Sequence, residues 1–98
     1  KQGSDILLLD TREYCSFADY FVICTSESTR QTEAIGEEIR KVIKEQGERI
    51  IAREGGDSSG WLLIDLGDVI VHVFAPEQRE FYQLEKLWDK APVILRIQ

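Results

Sequence analysis

The sequence predicts an α/β protein with a single domain and one mixed β-sheet of about five strands. Short apolar runs, which predict strands, lie on either side of one long amphipathic segment, which predicts a helix. A Gly67-Asp68 pair then separates two further β-prone runs, and such a pair predicts a tight antiparallel hairpin. The helical connection favours parallel strands and the hairpin requires antiparallel ones, so the sheet is mixed. With 98 residues the chain can build one core, and residues 1–98 are predicted to form one domain.

Three runs predict strands before the hairpin. Residues 5–10 are aliphatic without polar alternation, which indicates a strand buried on both faces. Residues 20–25 are a second strand by β-propensity, and residues 48–54 are a third. Because a helix connects them, we expect the second and third strands to be parallel.

The connecting helix has clear start and stop signals. Ser28 and Gln31 fit a capping box, so we expect the helix to begin near Thr29. Gly47 is a suitable C-cap residue. The stripe expected to face the sheet contains Ala34 or Ile35, then Ile39, Val42, Ile43 and Gln46.

Residues 61–75 form the hairpin around which we expect the fold to be organised. With a two-residue turn, one face is wholly aliphatic and belongs in a core: Leu62, Ile64, Leu66, Val69, Val71 and Val73. The opposite face, called the hairpin face below, carries Trp61, Leu63, Asp65, Ile70, His72 and Phe74. Such a mixture of aromatic, aliphatic and polar groups is typical of an open protein-binding surface. The alternative is that one of the protein's own helices covers the hairpin face.

The chain after the hairpin predicts one more helix and one more strand. Pro76 is expected to open a helix that runs to about Asp89. Residues 93–97, after Pro92, are expected to add an edge strand. The buried stripe of this last helix is predicted to contain Phe81, Leu84, Leu87 and Trp88.

Composition excludes several classes of partner. The formal charge of −6 disfavours binding to a nucleic-acid backbone and suits a basic protein. No apolar run approaches the ~20 residues of a membrane span. Cys15 and Cys24 are too few for a disulfide framework, which indicates free thiols in a reducing compartment. We expect no cofactor.

The candidate catalytic arrangements are weak. Asp65, His72 and a serine at position 26 or 28 can be written as a catalytic set, but no nucleophile elbow is present. Cysteine and histidine are too scattered to bind zinc. The segment 21–31 has a strand, loop and helix that suit a phosphate, yet it lacks a glycine-rich loop and gathered carboxylates. An enzyme or nucleotide-binding protein of the nucleotidyltransferase type is therefore the alternative to a binding factor without catalytic residues.

Two segments carry a family resemblance. The first is Ala-Asp-Tyr-Phe-Val-Ile-Cys-Thr at residues 18–25, followed by Ser28, Arg30 and Gln31. The second is Trp-Leu-Leu-Ile-Asp-Leu-Gly-Asp-Val-Ile-Val-His-Val-Phe at residues 61–74, followed by Arg-Glu-Phe-Tyr at 79–82 and by Leu84-Glu85 and Leu87-Trp88. In order and spacing they resemble the Iojap, or ribosomal silencing factor, family over nearly the whole chain. The sequence departs from the family at the N-terminus, where members usually carry a helix before the first strand, and in the variable tail.

The resemblance implies a nucleotidyltransferase-like fold that has lost its catalytic carboxylates. It implies a translation repressor, not an enzyme, that binds the large ribosomal subunit through ribosomal protein L fourteen and sterically blocks joining of the small subunit. Family members also tend to form homodimers when free, and organellar relatives act in ribosome assembly. The expected location is the cytoplasm, or an organelle for a eukaryotic member. A dimer whose only role is self-association is a further alternative.

The hairpin face and the resemblance together give a set of partner-binding residues. Trp61 is the expected aromatic anchor. Asp68 and the acids at positions 54 and 57 are expected to pair with basic residues of the partner. Arg79 and Tyr82 match family positions but fall partly off the packing stripe of the last helix, so they are secondary candidates. The full set is Trp61, Leu63, Asp65, Asp68, Ile70, His72, Phe74, Arg79 and Tyr82.

Overall fold

The computed structural model describes residues 4–56, 59–83 and 90–97. These residues form one small α/β domain with a mixed sheet, as predicted, although the sheet has six strands where about five were expected. The elements in chain order are β1 Ser4–Asp10, β2 Tyr20–Thr25, α1 Thr29–Glu45, β3 Ala52–Gly55, β4 Trp61–Asp65, β5 Val69–Phe74, α2 Pro76–Tyr82 and β6 Val93–Ile97.

The strands lie side by side in the order β3-β4-β5-β2-β1-β6. Within the described sheet, only β2 and β5 pair in parallel, from Tyr20 opposite Val69 to Thr25 opposite Phe74. The second and third strands therefore run in the same direction, as predicted, but they are not neighbours. The hairpin of β4 and β5 lies between them, and β3 becomes an edge strand.

The predicted capping box opens α1. The Ser28 hydroxyl accepts a hydrogen bond from the Gln31 backbone N–H at 3.0 Å. The Gln31 side chain accepts one from the backbone N–H of Glu27 at 2.6 Å, so it closes the box one residue earlier than the usual partner. Gly47 follows the helix with a φ of +78°, and its N–H donates to the Lys44 carbonyl at 3.0 Å.

The apolar stripe predicted for α1 is correct at Ile35 and Ile39, wrong at Val42, and half-buried at Ile43. Ile35 is buried and Ile39 packs against the same cluster, but Val42 is 42% exposed. A helix of 17 residues is about 25 Å long, whereas strands of five or six residues span roughly 17–20 Å. Helix α1 is therefore longer than these strands.

Each face of the sheet carries a buried cluster. The cluster between α1 and the sheet contains hairpin residues, a cysteine of β2 and one residue of α1 itself: Cys24, Ile35, Leu62, Ile64, Val71 and Val73. This confirms the assignment of the aliphatic hairpin face to a core. The cluster on the opposite face contains Leu7, Leu9, Ala18, Phe21, Ile23, Ile70, Phe74 and Ala91. Strand β1 buries Leu7 and Leu9, while Ile6 and Leu8 are only half-buried.

The end of the chain differs from the prediction. Helix α2 stops at Tyr82, because Gln83 adopts a left-handed conformation with a φ of +47°. Phe81 is 80% exposed, so its assignment to a buried stripe is wrong. Strand β6 pairs with β1 at the sheet edge, as predicted. The other stripe residues, Leu84, Leu87 and Trp88, lie outside the described residues. Neither helix of the described chain is long and apolar enough to cross a membrane.

Candidate functional site

The hairpin has the predicted two-residue turn and register. Ile64 lies opposite Val71, and Leu63 opposite His72. Gly67 has a φ of +97°, a conformation that a side chain disfavours. The Asp65 carboxylate accepts a hydrogen bond from the Gly67 N–H at 2.8 Å, so Asp65 also stabilises the turn.

The hairpin face is more enclosed than predicted. Ile70, His72 and Phe74 are buried, whereas Trp61, Leu63 and Asp65 are half-buried. The expectation of a bare face is therefore wrong for the three residues of β5. Ile70 and Phe74 share a buried cluster with Ala18 from the loop after β1 and Ala91 from the segment before β6, and the ring of Phe21 packs against His72.

Trp61 lies over the buried part of the hairpin face. Its indole Nε1–H donates a hydrogen bond to His72 Nδ1 at 3.2 Å, and its ring centroid lies 4.8 Å from that of Phe74. The indole has a single donor, so this bond uses its only polar group. Trp61 is therefore fixed by its neighbours within the protein.

His72 is a neutral, internal support. It is 5% exposed, and the ring of Phe21 meets it edge-on at a centroid distance of 5.1 Å. Burial lowers the pKa of His72 to about 4, so the imidazole is uncharged near neutral pH. Within the described part of the chain, its Nε2 has no hydrogen-bond partner. Its role in this structure is to orient Trp61.

Helix α2 extends the open aromatic surface. Tyr82 is 45% exposed, and its ring centroid lies 4.7 Å from that of Trp61. Phe81 meets Tyr82 edge-on at 5.0 Å. The sequence pattern placed Phe81 in a buried stripe, whereas in the last turn of α2 its side chain is 80% exposed. The pattern also did not predict that Gln83 takes a left-handed conformation and ends α2.

Arg79 is buried on the inner side of α2. Its Nη1 donates to the Asp5 carbonyl at 2.5 Å and to the Thr25 hydroxyl at 3.0 Å. Its Nη2 lies 3.8 Å from the Asp5 carboxylate. The expectation that Arg79 falls off the packing stripe is therefore wrong, and Arg79 instead fixes α2 against β1 and β2.

A groove opens beside Trp61 at the edge of the sheet. It has a volume of about 260 Å³ and is lined by Glu54, Gly55, Ser59, Trp61 and Leu63. Strand β3 contributes Glu54 and Gly55, and β4 contributes Trp61 and Leu63. Asp68 is exposed in the turn at the far end of the hairpin. Asp57 lies outside the described residues.

Several hydroxyl groups of the strand, loop and helix at residues 21–31, those of Thr25, Ser26 and Ser28, are hydrogen-bonded within the protein. Ser28 caps α1. Ser26 is buried and hydrogen-bonded to the hydroxyl of Thr32, which donates to the Ser28 carbonyl at 3.0 Å. In the regions that the structure describes, no group of three or more His, Cys, Asp or Glu residues is placed to hold a metal ion. Nothing in this geometry specifically favours nucleotidyl transfer.

Comparison with known proteins gives the family. The family model described as "Ribosomal silencing factor during starvation" matches residues 1–98. The chain belongs to the ribosomal silencing factor family. Ribosomal silencing factor RsfS of Bacillus subtilis is 46% identical over 93 residues, which cover 95% of this chain and 79% of that protein. Its counterpart in Halalkalibacterium halodurans is 44% identical over 94 residues, covering 96% and 80%.

Silencing-factor relatives include an organellar protein and solved structures. Protein Iojap, chloroplastic, of Zea mays is 34% identical over 93 residues, covering 95% of this chain and 40% of that protein. A Chromobacterium violaceum crystal structure matches with a TM-score of 0.85 at 39% identity, covering 90% of this chain and 73% of that one. A Bacillus halodurans crystal structure matches with a TM-score of 0.82 at 40% identity, covering 96% and 85%. The predicted family resemblance is confirmed.

Proposed function

We propose that this silencing factor binds the large ribosomal subunit through ribosomal protein L fourteen and sterically blocks joining of the small subunit. Family membership supports regulation of translation at the ribosome. The observation that carries the proposed contact is a continuous aromatic surface beside a half-buried leucine. We call this surface, with the two aspartates of the hairpin, the docking patch: Trp61, Leu63, Phe81, Tyr82, Asp65 and Asp68.

The docking patch suits a protein partner because its central residue is already ordered. Trp61 is held by His72 and Phe74, so binding loses little side-chain entropy there. Aromatic residues in such a position supply much of the energy of protein interfaces. The buried residues Ile70, His72, Phe74 and Arg79 support the patch from below and make no direct contact with the partner.

The net charge of the protein suits binding to a basic ribosomal protein, and its size suits blocking of subunit joining. The formal charge of −6 attracts a basic ribosomal protein and steers its encounter with the patch. The folded body measures 33 × 32 × 22 Å. Two protein surfaces in contact approach to about 4 Å between their atoms. A domain of this size, bound on the face where the subunits join, therefore keeps the small subunit from reaching that distance.

We extend the proposal to the free protein, which forms a homodimer that buries part of the docking patch. Dimer dissociation then accompanies ribosome binding, because the same residues cannot be covered twice. The function is placed in the cytoplasm, or in the organelle for an organellar member, without sequence-specific contact to nucleic acid.

Co-sedimentation with purified large ribosomal subunits tests the proposed contact. Trp61→Ala is expected to weaken binding by about 2 kcal/mol, or roughly 30-fold, as for central aromatic anchors. Val42→Ala is the matched control, because it trims an exposed apolar side chain on α1 and leaves the patch intact. Equal pelleting of the Trp61→Ala variant and the parent would contradict the proposed contact.

Addition of small subunits tests the blocking step. Large subunits loaded with the parent protein are expected to form fewer joined ribosomes than unloaded ones. Parent protein that sediments with fully joined ribosomes would refute steric blocking while leaving the binding contact in place.

A further inference from the structure

The groove beside Trp61 has the dimensions of a single side chain. Its volume of about 260 Å³ lies below the roughly 300–1,000 Å³ of small-molecule pockets. Trp61 and Leu63 give it apolar walls, and both are half-buried, so part of each remains available for contact. An amino-acid side chain of a partner therefore fits this groove better than a cofactor does.

Among the described residues that line this groove, Glu54 carries the one carboxylate. Glu54 lies directly opposite Leu63 across the β3–β4 pair, so both side chains project from the same face of the sheet. Glu54 is exposed, and none of the ion pairs between described residues includes it. The neighbouring cation, Arg53, projects to the opposite face and pairs with Glu33 and Glu37 of α1 at 3.0 and 3.6 Å.

We propose that the groove receives a lysine or arginine side chain of the partner. Its methylene stem packs on Trp61 and Leu63, and its cationic group pairs with Glu54. Lysine and arginine are the residues that combine a long apolar stem with a charged head. The inference rests on the proposed function, since the partner that supplies this side chain is the protein bound at the docking patch.

The Glu54 carboxylate and the negative net charge disfavour apolar and acidic side chains as occupants of the groove. A wholly apolar side chain would cover Glu54 without giving its carboxylate a partner, which costs free energy. An acidic side chain would be repelled by Glu54 and by the net charge of −6. The charge of Glu54 therefore selects a cationic side chain, and the apolar walls of the groove pack against its stem.

The test compares two glutamate variants of equal net charge. Glu54→Gln removes the rim carboxylate, and Glu45→Gln removes an exposed carboxylate at the last residue of α1, on the other side of the sheet. Binding to purified Bacillus subtilis large subunits is measured by sedimentation at low and at raised potassium chloride. Glu54→Gln is expected to weaken binding about 3- to 10-fold at low salt and to reduce its salt dependence. Glu45→Gln is expected to stay within about twofold of the parent, since it loses only long-range attraction.

A charge-conserving variant and melting curves distinguish recognition from damage to the fold. Glu54→Asp is expected to bind more tightly than Glu54→Gln, and all three variants are expected to melt at the parent temperature. If Glu54→Gln binds as Glu45→Gln does, or more tightly than the parent, the occupant is not cationic and the inference is overturned while the proposed function stands. If the parent itself does not sediment with large subunits, both are overturned.

Discussion

A single methyl group at Gly55 is expected to disturb both the fold and the docking patch. Gly55 has a φ of +75°, and a Cβ atom there would lie 2.2 Å from the Trp61 carbonyl oxygen. That carbonyl accepts hydrogen bonds from the Gly56 N–H at 3.1 Å and from the Ser59 hydroxyl at 3.1 Å. It cannot move away from the new methyl group without breaking these bonds and shifting the backbone of Trp61.

The expected loss of stability at Gly55 has two parts. A left-handed conformation costs a residue with a Cβ about 1–2 kcal/mol. Overlap with fixed backbone adds about 1–3 kcal/mol, the range for overpacked sites. Gly47 provides the control, because its φ is +78° and a Cβ there would meet nothing within 4 Å. Gly47→Ala therefore carries only the first part, and the difference between the two variants measures the overlap.

Urea unfolding followed by circular dichroism measures both losses. Gly55→Ala is expected to lower the free energy of unfolding by about 2–5 kcal/mol and Gly47→Ala by about 1–2 kcal/mol, with unchanged m-values. In the folded state, Gly55→Ala is also expected to weaken large-subunit binding because Trp61 is displaced. Equal losses for the two variants would show that the Trp61 carbonyl yields freely and would refute this reasoning.

Two further predictions concern the helix cap and the only histidine. Ser28→Ala removes the hydroxyl that caps α1 and is expected to lower the free energy of unfolding, measured by urea titration, by about 1 kcal/mol. Thr29→Ala is the control, because it leaves the cap intact. Equal losses for the two variants would contradict the role of the cap. His72 is expected to titrate by NMR with a pKa of about 4 in the folded state, against about 6.5 when unfolded. The unfolded state then binds more protons between these values, so stability falls by up to about 3 kcal/mol as the pH drops from 6.5 to 4 and levels off below. His72→Gln is expected to flatten this slope, and a folded-state pKa near 6.5 would contradict the burial.

Features set by neighbouring residues were predictable from the sequence. The period of two on either side of Gly67-Asp68 fixed which hairpin residues share a face, since a slip of one residue would reverse every side chain. The spacing of Ser28 and Gln31 located the start of α1 because a cap acts within one turn. Both signals depend on local geometry alone.

Burial of the hairpin face was not predictable in the same way. The buried cluster that holds Ile70 and Phe74 also contains residues from distant parts of the chain, among them Ala18 and Ala91. Arg79 shows the same dependence, because its partners Asp5 and Thr25 come from the start of the chain. No periodicity within α2 contains that information.

The hydrogen bond that Trp61 makes to His72 limits what Trp61 can recognise in a partner. Its one donor is already bonded to His72, whose pKa keeps the imidazole a neutral acceptor near neutral pH. What Trp61 presents outward is therefore apolar ring surface, which favours close packing of any partner but does not distinguish one polar group from another. Discrimination must then come from the carboxylates around it, and Asp65 already accepts a hydrogen bond from the turn. Of the described residues that line the groove, Glu54 is thus the one whose charge remains available to choose a partner.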